Sequence, residues 1–146
     1  MTQTIGIIGS GMIGGQVARL AIAAGFNVVI CNSRGPETLA ELVSKQGPSA
    51  RAATFAEVTE AADLIVLAVP FAGYAKLSAE ALAGKTVIDT MNYYPERDGV
   101  MPEVKTDTIA TSELVQKHLS RSRVVRALNN MDFVRLLSRA RPKGSA

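Results

Sequence analysis

"TIGIIGSGMIGGQVARLAIAAGFNVVICNSRG", residues 4–35, decides the fold. "TIGII" (4–8) reads as a strand, "GMIGGQVARLAIAAG" (11–25) as a helix closed by Gly25, and "NVVIC" (27–31) as a second strand. Between the first strand and the helix stands "GSGMIG", residues 9–14. In such a turn Gly9 permits the tight reversal, Gly11 lets a pyrophosphate approach the backbone, and Gly14 lets the helix pack closely on the strand. The helix start then offers unpaired N–H groups and the positive end of its dipole to the phosphates. A glycine-rich turn alone is a weak signal. Its context, after a strand and before an apolar helix, makes a nucleotide-binding turn the better reading.

The same alternation runs on. "PETLAELVSKQG" (36–47) reads as a helix with Pro36 in its first turn, "ARAAT" (50–54) as a weak strand, and Ala56–Ala61 as a short helix. "DLIVLAV" (63–69) is continuously apolar, as a strand buried on both faces requires. A helical stretch is expected around Tyr74–Leu82, then a strand at "KTVIDT" (85–90) and an aperiodic loop over 91–107. "TSELVQKHL" (111–119) reads as a helix capped by Thr111 or Ser112, "RVVRAL" (123–128) as a sixth strand and "MDFVRLLSRA" (131–140) as a last helix. Strands joined by helices require a parallel sheet covered on both faces. The expected architecture is α/β: a Rossmann-type doubly wound parallel sheet of about six strands, one domain over residues 1–146. Ligands in such sheets bind beyond the carboxyl ends of the strands, here after Ile8, Cys31, Val69, Asp89 and Leu128.

The composition fits. The chain has 146 residues, 47% of them hydrophobic, enough to bury a core and too apolar for disorder. No apolar run is long enough to cross a bilayer, and the chain enters a strand almost at once with no basic leader, so no signal peptide is expected. Cys31 is the only cysteine and His118 the only histidine, which leaves no disulfide and no metal cluster to build. A cytoplasmic location is expected. The net charge of +3 conceals an asymmetry, since residues 121–146 carry seven basic side chains and the single acid Asp132. That basic end suits an anionic small molecule better than nucleic acid, because no aromatic platform accompanies it.

The end of the second strand identifies the nucleotide. In this architecture it meets the adenosine ribose, and a carboxylate there binds a free 2′-hydroxyl. The segment "NSR" begins 18 residues beyond Gly14 and holds no acid. Asn32 and Ser33 offer hydrogen-bond donors, and Arg34 a planar charged fork suited to phosphate. The residues describe a site for a 2′-phosphate and therefore for NADP.

With these motifs in hand, the chain resembles the NADPH-dependent reductases of the deazaflavin coenzyme F420. It is also similar to the NADP-binding domains of metalloreductases and pyrroline-5-carboxylate reductases. The likeness rests on "IGIIGSGMIGGQVARLAIAAGFNVVICNSRGPETL", "DLIVLAVP", "TVIDTMNYYPERDG" and "RVVRALNNMDFVRLLSRARPKG", with "NSRGPE" its most specific element. The resemblance implies that Ser10, Met12 and Ile13 hold the pyrophosphate and that Ser33 and Arg34 grip the 2′-phosphate. It places Val69 and Pro70 along the dinucleotide, and Asn92 and Asn129 near the nicotinamide. It also implies coenzyme F420 as co-substrate, a homodimer, and further strands and helices past residue 146 that complete the sheet and the deazaflavin pocket; "NNMDF" departs from the commoner "FNT" type of sequence.

Other candidates are weaker. His118 is best explained as a solvated helix group, Asp89 as turn support, and Tyr93 and Tyr94 as loop packing. No nucleophile or carboxylate pair stands out, and direct hydride transfer needs none. Two readings result: an NADP-dependent oxidoreductase acting on a small redox substrate, without nucleic acid or membrane as partner, or a non-catalytic NADP-binding module.

Overall fold

A computed structural model describes residues 2–141. Six strands form one all-parallel sheet: β1 (Thr4–Ile8), β2 (Asn27–Cys31), β3 (Ala50–Ala52), β4 (Leu64–Leu67), β5 (Thr86–Asp89) and β6 (Arg123–Arg126). Their spatial order is β3-β2-β1-β4-β5-β6. The chain winds outward from β1 through β2 to β3, then crosses back to β4 and winds outward the other way. This is the Rossmann-type architecture expected from the sequence.

Side-chain alternation along the strands builds two cores, one on each face. Ile5, Ile7, Val28, Ile30 and Val66 point to one side, where they meet Ala18 and Ala21 of α1 (Met12–Ala23) and Leu39. Leu39 ends a 3₁₀ turn, Pro36–Leu39, that leads into α2 (Ala40–Gln46). Ile8, Val29, Cys31, Ile65, Leu67 and Val87 point to the other side. There they meet Val58 of α3 (Phe55–Ala61) and Val115 and Leu119 at α6 (Thr111–His118). Small alanines on α1 let it approach the sheet closely, and Gly14 does so at the turn itself. A β-carbon at Gly14 would run into the carbonyl oxygen of Gly9.

Several expectations are corrected. The helix expected over Tyr74–Leu82 is instead a 3₁₀ segment, Phe71–Lys76, followed by extended backbone at Leu77 and turns. Phe71 is fully buried, and its rings with Tyr74 and Tyr93 pin the segment down before a longer helix can wind. The aperiodic loop contains two single helical turns, α4 (Pro95–Asp98) and α5 (Pro102–Lys105), each begun by a proline. Neither Thr111 nor Ser112 caps α6. Its N-cap is Ala110, whose N–H donates to Glu113 Oε2 at 2.7 Å, while Thr111 and Ser112 accept from Arg126 at 2.7 and 3.2 Å. The last helix, α7 (Phe133–Ser138), is shorter than expected, is capped by Asp132, and buries Leu136. Of the basic C-terminal residues, Lys143 lies outside the described residues.

Candidate functional site

At the carboxyl ends of β1, β2 and β4, where the winding reverses, lies a cleft of about 620 Å³. Gly9, Ser10 and Gly11 form its floor, Asn32, Ser33 and Arg34 one flank, and Ala68, Val69 and Pro70 the other. Sequence reasoning placed nearly all of these here. It missed Phe55, Gly73, Lys76, Leu77 and Ser78, which complete the wall.

The glycine turn has three different jobs. Gly9 sits at φ +111°, in the left-handed region, and its N–H donates to the Cys31 carbonyl at 3.0 Å, tying the turn to β2. Gly14 is needed for contact with Gly9, as above. Gly11 is needed for neither reason. It has ordinary extended backbone (φ −71°, ψ −165°), and a β-carbon there would meet nothing within 4 Å. The room it leaves opens onto the cleft. No side chain caps α1, so its first-turn N–H groups and dipole also serve whatever occupies that room. Met12 is exposed at the mouth of the turn and Ile13 half-buried behind it, and neither lines the cleft.

The loop after β2 is organised by Asn32. Its Oδ1 accepts from the N–H groups of Arg34 and Gly35 at 3.0 and 2.9 Å, and its Nδ2 donates to Thr38 Oγ1 at 2.8 Å. Asn32 therefore spends its amide inside the loop and shapes it. Ser33 and Arg34 are exposed at its tip, and the Arg34 guanidinium has no side-chain partner among the described residues. Cys31, beneath the loop, is 1% exposed; burial pushes its thiol up to about 11, the Gly9 N–H offsetting only part of this. It is an inert packing group.

Asn92 and Asn129 lie outside this cleft but are brought together. Asn92 Nδ2 donates to the Asn129 carbonyl and Asn129 Nδ2 to the Met91 carbonyl, both at 2.9 Å, so a reciprocal clasp joins the loops after β5 and β6. Leu128, at φ +64°, turns the chain into this clasp, a strained conformation costing roughly 1–2 kcal/mol. Asp89 is fully buried, accepting from the Met91 N–H at 2.8 Å and from Ser112 Oγ at 2.9 Å, which is turn support.

His118 is not a solvated group. Its Nε2 lies 2.7 Å from the Leu77 carbonyl oxygen and its ring stands edge-on to Tyr74, so it anchors the cleft wall. Tyr93 packs on Phe71 and its hydroxyl donates to the Gly99 carbonyl at 2.7 Å, while Tyr94 belongs to a knot around Asp98, which accepts from the N–H groups of Tyr94 and Ala72 at 2.9 and 3.2 Å and pairs with Arg97 at 2.8 Å. Burial alone would raise the Asp98 carboxyl, but these hydrogen bonds outweigh it and hold it below the usual range. Arg97 in turn lies over the Tyr94 ring. Among the described residues no cluster suits a metal ion, and no helix is long and apolar enough to cross a membrane.

A parallel sheet wound in this order, with a glycine turn at its switch point, is the architecture of a dinucleotide-binding fold, and an arginine stands where the ribose carboxylate of such folds would be. Residues 4–93 match the family described as NADP oxidoreductase, coenzyme F420-dependent, and the chain belongs to that family. It is similar to a hypothetical protein of Sinorhizobium meliloti, with 28% identity and a TM-score of 0.78 over 93% of this chain and 65% of that one. It is equally similar, at 28% identity and a TM-score of 0.77, to an Arthrobacter sp. FB24 protein provisionally described as an F420-dependent NADP-reductase, over 90% of this chain and 64% of that one. The chain thus spans just under two thirds of the length of both. An imine reductase from Pseudomonas sp. shares the fold at 20% identity and a TM-score of 0.60, over 86% of this chain and 40% of that one. No curated protein matches the chain.

Proposed function

We propose that this chain binds NADP(H) and serves an oxidoreductase that exchanges a hydride with a deazaflavin of the coenzyme F420 type. One observation carries the reading. Gly11 leaves space that neither backbone conformation nor packing within the protein requires, and that space opens onto a cleft whose charged side chains, Arg34 and Lys76, are both cationic. A dinucleotide pyrophosphate fits the space, and a 2′-phosphate fits the flank.

In this reading Ser10, Gly11 and the α1 N-terminus hold the pyrophosphate. Ser33 and Arg34 hold the 2′-phosphate, with Asn32 fixing the loop that presents them. Val69 and Pro70 wall the dinucleotide, and the Asn92–Asn129 clasp frames the nicotinamide end. When bound, the cofactor supplies or accepts a hydride. The chain's part is position and shielding from water.

The test is NADPH oxidation, followed by its near-ultraviolet absorbance, with coenzyme F420 as acceptor. Turnover dependent on both is the expected result. Tight NADP binding without turnover would replace the enzyme with a non-catalytic NADP-binding module.

A further inference from the structure

We infer that Lys76, from the segment after β4, is a second cation for the adenosine 2′-phosphate beside Arg34 in the same cleft; this rests on the NADP reading above. Sixteen residues line the cleft, and only Arg34 and Lys76 among them are charged. No carboxylate faces either one across the cleft, so both positive charges are available to a ligand. Lys76 is exposed and makes no hydrogen bond or ion pair among the described residues.

Its backbone, in contrast, is held firmly. Phe71 is buried at the start of the segment, the Ala72 N–H donates to Asp98, and the Gly73 N–H donates to the Pro70 carbonyl at 2.8 Å. Immediately after Lys76, the Leu77 N–H donates to the Tyr74 carbonyl at 3.1 Å and the Leu77 carbonyl meets His118. A fixed root with an unengaged ammonium is the arrangement expected of a binding group rather than of a structural one. Lysine suits the place because its four-carbon stem reaches across open space and its ammonium grips phosphate as a point charge.

The 2′-phosphate is the favoured target. The pyrophosphate already has the α1 N-terminus and the turn backbone, whereas the 2′-phosphate, a group of up to two negative charges, otherwise has one cation. Two cations lining one cleft match it, and they bear on cofactor choice because NAD lacks that group.

The experiment measures dissociation constants of NADP and NAD, and of 2′,5′-ADP and 5′-ADP, for wild type, Lys76→Gln and Lys76→Arg. Thermal unfolding checks that each variant is folded. In Lys76→Gln, NADP and 2′,5′-ADP should bind roughly five- to tenfold more weakly, an exposed charge giving less than a buried one. NAD and 5′-ADP should be unchanged, and Lys76→Arg should restore much of the loss. If the wild type prefers NADP but Lys76→Gln binds every ligand as well as wild type, Lys76 is a solvated side chain and the inference fails alone. A loss shared equally by NADP and NAD would put Lys76 on the pyrophosphate or adenine and also overturn it. If the wild type does not prefer NADP, the inference falls together with the reading beneath it.

Discussion

Two glycines three residues apart in one turn should respond in opposite ways to substitution. Gly14→Ala places a β-carbon against the Gly9 carbonyl oxygen, a backbone atom that cannot swing aside. Gly9 is itself held by its hydrogen bond to Cys31, so the strain is relieved only by moving α1 off β1. Overpacking of this kind costs roughly 1–3 kcal/mol, and a backbone clash belongs at the upper end. Alanine's better helix propensity returns about 1 kcal/mol, leaving a net loss of roughly 2 kcal/mol. In a domain of this size that lowers Tm by roughly 4–8 °C. Gly11→Val meets nothing and keeps an extended backbone that valine adopts readily. It should unfold within about 2 °C of wild type while losing NADP affinity at least roughly a hundredfold, a collision being more costly than one lost hydrogen bond. Circular dichroism melting and titration calorimetry on the two variants give both readings. An unchanged Tm for Gly14→Ala would refute the packing argument. Retained affinity in Gly11→Val would show that the turn is structural and the cofactor lies elsewhere.

Two further outcomes follow from the titrating groups. The Asp98 carboxyl is depressed in the folded state, so its stabilising effect is fully present above the ordinary value near about 4 and is lost as pH falls through the lower folded-state value. Asp98→Asn should therefore melt several degrees below wild type at pH 7 and converge with it in strong acid; an equal gap at both would place the stabilisation elsewhere. The Cys31 thiol, raised and buried, should resist a maleimide at pH 8 in the folded protein and react once urea unfolds it. Rapid labelling of native protein would show that the loop over Cys31 opens.

What the sequence made legible was local. Strand, turn and helix from Thr4 to Cys31 are written in contiguous residues, and so is the missing carboxylate at "NSR". The start of α3 is local too, though it falls a residue before the expected Ala56: Thr54 and Glu57 form a reciprocal capping box, with the Thr54 N–H donating to Glu57 at 2.7 Å. What stayed hidden depends on residues far apart in the chain. His118 meets Leu77 41 positions away, and Asn129 reaches Met91 across 38. Nothing in the period of "FAGYAKLSAEAL" distinguishes an amphipathic helix from a 3₁₀ segment clamped by Phe71, so Lys76 could not be placed in the cleft beforehand. The basic end looked like one patch, yet Arg126 donates to Thr111 and Ser112, Arg123 to the Gly84 carbonyl at 3.0 Å, and Arg135 pairs with Asp132 at 3.4 Å. Charge counts record how many cations a segment carries and not where they point.

The central claim is that the loop after β2 recognises a 2′-phosphate. Titration calorimetry of NADP and NAD into wild type and Arg34→Ala tests it most directly. Each charge-assisted hydrogen bond contributes about 1.5–3 kcal/mol, so wild type should bind NADP at least roughly tenfold more tightly than NAD. Arg34→Ala should lose most of that margin while its NAD affinity stays the same. Equal affinity for the two dinucleotides in wild type, or an Arg34→Ala variant that keeps the full preference, would contradict the account.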